Sequence, residues 1–223
     1  MITRLSHATI VSHGQKIQGL SVYLASGKII AVTQDDLPCT QEIDLGGLYL
    51  SPGWIDLHVH GGGGSDFMDD DPQAALRACE LHLHHGTTTL YPTTLAGSME
   101  RTYRALCHLR RAAASKGPHP HIPGVHLEGP YFSQKQSGAQ NPAYIRPPCP
   151  QEYQALFLRC GSFLRRWSFA PELDGAMELC RWLSAHNILP SIGHSDAQLC
   201  HVKEALAQGC RLVTHLYSGM STI

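Results

Sequence analysis

From residue 54 onward the chain alternates between short apolar runs and stretches of helix length, and that rhythm sharply limits the folds open to it. The runs are 54–60, TTTLYPTTL (87–95), IPGVHLEG (122–129), RRWSFAPEL (165–173), ILPSIGH (188–194) and RLVTHLY (211–217). The stretches between them carry helix punctuation. Asp71-Pro72 predicts the start of a helix over 72–85, ended by Gly86, and Ser98 the start of one that runs to Lys116. Pro150 opens 151–160 before Gly161, Asp174 opens 175–186, and Asp196 opens 197–208 before Gly209. Strand–helix alternation of this kind predicts a parallel sheet with helices outside it. Roughly thirty residues per unit fits a (β/α)₈ barrel, with about six of its eight units in residues 51–223.

Residues 1–50 read differently. ATIVSHGQKI, LSVYLASGKIIAVT and EIDLGGLYL are β-type runs joined by turn signals, with no helical period, and predict a small β-sandwich-like domain. Lys+Arg number 17 against 18 Asp+Glu, a balance that points away from nucleic acid and acidic membranes. No apolar run reaches the ~18–20 residues of a membrane span, and the first residues lack a secretory pattern, so a cytoplasmic protein is expected. The eight cysteines form no C-x-x-C and are expected to be free thiols; Cys79, Cys107, Cys180 and Cys200 fall in helix-like stretches beside Ala and Leu.

In a parallel barrel, chemistry collects at the carboxyl ends of the strands. Those ends carry His58 and His60 on the first strand, Glu128 on the third, His194 on the fifth and His215 on the sixth. Asp56, His58 and His60 lie two apart and share one strand face. Imidazole and carboxylate suit zinc and other first-row divalent ions. Each residue alone has a plainer explanation: a surface His pair, a capping Glu128, a His194 that leads into a helix. A His215 inside LVTHLY would be a costly polar group without a partner. Together the five point to a metal site. The glycines at 61–64 are read as opening room for a ligand, and no G-K-[ST] follows to make them a phosphate loop. Asp56 is assigned below His58 as outer support for a ligating imidazole. His82, His84, His85, His119 and His121 are assigned to the surface, and His126 to the interior.

These residues carry a family resemblance. SPGWIDLHVHGGGG, GTTTLYPTTL, GVHLEGPYFSQKQSGAQNP, FAPEL, IGHSDA and VTHLYSGM are similar, in order, to the motifs of N-acetylglucosamine-6-phosphate deacetylases, in the metal-dependent amidohydrolase superfamily. The resemblance implies a TIM-barrel hydrolase that removes the acetyl group from an amino-sugar 6-phosphate in amino-sugar catabolism. It implies one or two divalent ions, zinc foremost, with iron, manganese or cobalt as alternatives. Glu128, His194 and His215 would hold the principal ion, and His58 and His60 a second. Ala139, Gln140, Ser218 and Gly219 fall where the family contacts substrate, and a homodimer is the family's habit.

The chain departs from the pattern in two places. Ser218-Gly219 replaces the usual Asn-Ala, which keeps N-acetylgalactosamine-6-phosphate open as the substrate. The resemblance also puts the family's proton-transferring aspartate on an eighth strand, past residue 223. No catalytic residue is therefore named, and weak or absent turnover is expected of these residues alone. Another amidohydrolase, dihydroorotase-like or aminoacylase-like, and a non-catalytic remnant stand as the other readings.

Overall fold

A computed structural model describes residues 1–221, and the chain divides into two compact units, Met1–Gly53 and Trp54–Ile223. The first unit is all β: β1 (Ile2–Ser6), β2 (Thr9–Ser12), β3 (Gln15–Ile17), β4 (Ser21–Ala25), β5 (Lys28–Thr33), β6 (Gln41–Asp44) and β7 (Tyr49–Leu50). They form a four-stranded sheet in the order β5-β4-β1-β6 and a three-stranded sheet in the order β3-β2-β7. Its buried centre is small: Ala8, Ile10 and Val22, packed by Leu5, Ile17, Leu20, Leu24, Leu45 and Leu50.

The second unit opens with β8 (Trp54–Val59), followed by a two-residue hairpin of β9 (Gly61–Gly62) and β10 (Ser65–Asp66). It then alternates α1 (Ala74–His84), β11 (Thr87–Pro92), α2 (Met99–Ala113), β12 (Val125–Glu128), α3 (Pro150–Cys160), β13 (Leu164–Phe169), α4 (Ala176–Ala185), β14 (Leu189–Ile192), α5 (Leu199–Ala207) and β15 (Leu212–Val213). β8 pairs in parallel with β11, and β12-β13-β14-β15 form a parallel ladder in sequence order. Parallel bridges Thr89–His121 and Thr93–His126 join the two sets. All six strands therefore run the same way, and their carboxyl ends lie on one side. Leu106 and Leu109 of α2, Leu156 of α3, Leu179 and Leu183 of α4 and Trp167 of β13 are almost wholly buried in one apolar cluster. Each such side chain contributes about 1.5–3 kcal/mol through burial.

Several local expectations are corrected. α1 starts at Ala74, because the Asp71 carboxylate accepts from the Gln73 N–H and pairs with Arg77, closing a turn ahead of the helix. α4 has Gly175 as its N-cap, and α5 is capped by Gln198 with His201 reaching back. Asp196 cannot cap α5 because Lys135 holds its carboxylate at 2.9 Å. Ser98 and Gly161 do cap α2 and α3, but α2 ends at Ala113, short of Lys116. The sixth strand is only Leu212–Val213, and His215 lies past its end with φ +33°. The glycine run makes the β9–β10 hairpin rather than open space: a Cβ on Gly61 would lie 2.1 Å from the Ser65 carbonyl oxygen. Trp54, Ile55 and Leu57 are exposed, since β8 hydrogen-bonds to β11 alone among the described strands. All eight cysteines are free as expected, with Cys79, Cys160, Cys180 and Cys210 buried and Cys39 and Cys200 exposed. His82 is half-buried, with Nε2 2.9 Å from the Gly61 carbonyl, and His119 is held between the Pro120 and Ser115 carbonyls. No helix of the described residues is long and apolar enough to cross a membrane.

Candidate metal centre

Glu128 ends β12 with its side chain 2% exposed. No lysine or arginine pairs with it among the described residues; its polar neighbours are four imidazoles and the Gln140 amide. His215 Nε2 lies 2.9 Å and His194 Nε2 3.2 Å from Oε1, and His58 Nε2 is 3.6 Å from the same oxygen. His60 Nε2 is 3.2 Å from Oε2. Two donor groups emerge, Glu128-His194-His215 and His58-His60-Glu128, each with its atoms within 4.8 Å of one another.

The far side of each ring decides what these contacts are. His194 Nδ1 is 2.9 Å from the Gln136 carbonyl oxygen, His215 Nδ1 2.8 Å from that of Ser218, and His60 Nδ1 3.2 Å from that of Thr93. A carbonyl only accepts, so each Nδ1 carries the proton. A neutral ring then turns its Nε2 lone pair toward a carboxylate oxygen. Two acceptors stand face to face, which costs energy unless a second ring proton or a metal ion lies between them. A ligating histidine is commonly held in this way, with its second ring nitrogen on a backbone carbonyl. Donors ~2.1 Å from a tetrahedral ion stand roughly 3.4 Å apart, which matches the 2.9–3.6 Å separations here. The residues fit a divalent ion.

In the absence of an ion, a second proton on His60 or His215 takes that place. Burial favours a protonated Glu128, but hydrogen bonds from His194, His215 and His60 hold its carboxyl far below the usual range. The hydrogen bond to Glu128 raises the His215 pKa, and the same contact raises that of His60 against the opposing effect of burial. His58 is lowered to about 4, chiefly by burial and then by the neighbouring charges of His60, His215 and Arg166. Its Nδ1 is buried without a hydrogen-bond partner among the described residues.

The backbone bends to bring the ligands together. His194 and His215 adopt φ +50° and +33°, a region that non-glycine residues occupy at a cost and that is enriched at functional sites. His194 is enclosed from several sides: the Phe132 and His194 ring centroids lie 4.5 Å apart, and Gly138 and Gly219 approach the imidazole so closely that a Cβ would sit 3.3 Å and 3.1 Å from it.

The remaining sequence-derived residues fall into place around this centre. Asp56 accepts from the backbone N–H of His58 at 3.0 Å, and no imidazole hydrogen-bonds to it. His126 is wholly buried, its Nε2 2.6 Å from Ser168 Oγ. Gln140 is buried and donates to Glu128 Oε2 at 2.8 Å, while Ala139 beside it is exposed. Ser218 contributes its carbonyl to His215, and the Gly219 carbonyl accepts from the Ser195 N–H. The Gln136, Thr93 and Ser218 carbonyls escape sequence reasoning, since every residue has a carbonyl. Arg166 escapes too; it is buried, with Nη2 2.8 Å from Thr214 Oγ1 and Nη1 3.3 Å from the Leu57 carbonyl.

No family model matches the chain. It is 33% identical over 213 residues to N-acetylglucosamine-6-phosphate deacetylase of Vibrio furnissii, which covers 94% of this chain and 53% of that one. It is 33% identical over 172 residues to N-acetylgalactosamine-6-phosphate deacetylase of Escherichia coli O157:H7, covering 77% of this chain and 46% of that one. A mutant N-acetyl-D-glucosamine-6-phosphate deacetylase of Mycobacterium smegmatis, solved with N-acetyl-D-glucosamine-6-phosphate, superposes with a TM-score of 0.88 at 28% identity, over 100% of this chain and 57% of that one. The chain spans about half the length of the relatives it matches. In sequence and in backbone, over nearly all of its own residues, the chain is similar to N-acetylglucosamine-6-phosphate deacetylases.

Proposed function

We propose that these residues form the metal-holding part of a hydrolase that releases acetate from an N-acetylated amino-sugar 6-phosphate, with N-acetylglucosamine-6-phosphate as the substrate. The observation that carries the proposal is the shared polarity of three imidazoles, each tied by Nδ1–H to a backbone carbonyl and turning Nε2 onto one buried carboxylate. Glu128, His194 and His215 would hold the principal ion, zinc by the chemistry of the donor set, and His58 and His60 with Glu128 a second. When bound, such an ion supplies Lewis acidity to the attacking water and to the amide carbonyl. The chain's own part is to hold the ligands aimed, through the three carbonyls and the 134–142 segment. Ala139, Gln140, Ser218 and Gly219 lie around His194 and His215, where the sugar phosphate would rest; both polar ends of the Gln140 amide are already taken. The six parallel strands would be part of an eight-unit barrel, in a cytoplasmic protein that pairs with a second copy. No residue of this chain is assigned to proton transfer.

The likeness to an N-acetylgalactosamine-6-phosphate deacetylase, together with Ser218-Gly219, supports that sugar as the second reading. The test is zinc stoichiometry by elemental analysis on the unaltered protein and on His194→Ala, with binding of both sugar phosphates followed by calorimetry. Tight zinc lost in the variant, and preference for one sugar phosphate, are expected. Equal zinc content in both proteins would refute the metal reading, and zinc without affinity for either sugar phosphate would refute the substrate.

A further inference from the structure

Gln140 makes two hydrogen bonds that fix one another. Its Oε1 accepts from the Ala96 N–H at 2.7 Å, and its Nε2 donates to Glu128 Oε2 at 2.8 Å. The orientation of the amide is settled by chemistry. A backbone N–H can only donate, so the atom facing Ala96 is the oxygen, and the amide nitrogen must face Glu128. Gln140 is 3% exposed, so water offers it no substitute partner. Its own N–H donates to the Ser137 carbonyl, which anchors it to the same segment whose Gln136 carbonyl holds His194 Nδ1. One stretch of chain thus steadies two of the three residues in the Glu128-His194-His215 group.

The two carboxylate oxygens are consequently unequal. Oε2 is shared by Gln140 and His60, whereas Oε1 is turned to His194, His215 and, further off, His58. We propose that Gln140 is a positioning residue: by pinning Oε2 it sets the roll of the Glu128 carboxylate, and so directs the first ion to Glu128, His194 and His215 rather than to His58, His60 and Glu128. This rests on the metal reading above and adds to it an order of filling. An amide that reaches a ligand from behind resembles the outer partners whose removal typically costs 10–100-fold in metal affinity.

The test compares the unaltered protein, Gln140→Met, Gln140→Asn, Glu128→Gln and His58→Ala by chelator competition with zinc and by the visible spectrum of the cobalt(II)-substituted protein. Gln140→Met keeps the length and removes both hydrogen bonds; Gln140→Asn keeps the amide but is too short to bridge Ala96 and Glu128. The first equivalent should bind about 10–100-fold more weakly in either Gln140 variant, with shifted cobalt bands, while His58→Ala keeps the first equivalent and its spectrum. If the unaltered protein binds no zinc, the metal reading fails and this proposal with it. If it binds zinc and Glu128→Gln does not, yet a folded Gln140 variant keeps the affinity and the spectrum, only the Gln140 proposal falls. Should neither Gln140 variant fold, the side-chain amide protons of Gln140 in the unaltered protein decide the matter. Slow exchange and a shift on addition of zinc support the proposal; exchange as fast as an exposed glutamine overturns it.

Discussion

Two buried polar clusters occupy the same parallel sheet, a residue or two apart along the strands, and they solve opposite problems. In one, Ser168 Oγ and Ser191 Oγ meet Thr214 Oγ1 at 2.6 Å and 2.7 Å, His126 Nε2 meets Ser168 Oγ at 2.6 Å, and Arg166 donates to Thr214. Hydroxyls both give and take, so this network closes upon itself apart from Arg166 Nε, which has no partner. In the other, nearest Glu128, the facing atoms are imidazole lone pairs and carboxylate oxygens, and no rotation turns an acceptor into a donor. The first cluster is complete as protein. The second is complete only with an added cation, either a metal ion or the second proton of an imidazolium, which is why it reads as chemistry and its neighbour as structure.

The contrast is broken most severely at its centre. Glu128→Gln keeps the shape of the side chain but replaces the shared anion with an amide. Zinc affinity should fall by more than about 100-fold, beyond the range for outer partners, at both donor groups. Retained tight binding, read by chelator competition, would mean that the imidazoles alone make the site.

Protons sharpen it next. An ion must displace the protons of His60 and His215, whose pKa values Glu128 raises. Zinc affinity should therefore climb with pH until above both raised values, by up to ~10-fold per pH unit for each proton displaced. In the metal-free protein the same raised pKa values have the opposite consequence. Their stabilisation is complete below about pH 6.5 and is lost as pH rises through the folded-state values. A pH-independent zinc affinity over this range would contradict the assignment of His60 and His215 as ligands.

The self-contained cluster should behave in reverse. Ser168→Ala removes the hydroxyl between His126 and Thr214 and should cost about 1–3 kcal/mol in denaturant unfolding, with zinc affinity unchanged. A lost zinc site in that variant would tie the two clusters together. The smallest effect is expected far from both: Ser98→Ala removes the side chain that accepts from the Arg101 N–H and should cost about 1 kcal/mol, with nothing altered at Glu128.

Much of the centre is legible in one dimension because strand geometry is so regular. A spacing of two puts Asp56, His58 and His60 on one face, and parallel alternation brings the ends of β8, β12, β14 and β15 to one side, so Glu128, His194 and His215 converge with them. Helix starts were less legible, for a reason visible at Asp196. Its carboxylate suits a cap, but Lys135, 61 positions away, takes it. At Asp71 the side chain is spent one turn early, on Gln73 and Arg77. The glycines after His60 show the same limit: a run that suggests open space is a hairpin in which Gly61 packs against the Ser65 carbonyl.

By itself the sequence determined which residue types could meet an ion, and at which strand ends, since both follow from backbone periodicity. Only the tertiary structure decided how those residues are used. The Gln136, Thr93 and Ser218 carbonyls set which nitrogen of each ring faces inward, and the Gln140 amide sets how the Glu128 carboxylate is rolled. The physical reason is that a hydrogen bond requires atoms within about 3 Å and correctly oriented, a condition that loops distant in sequence meet only after folding.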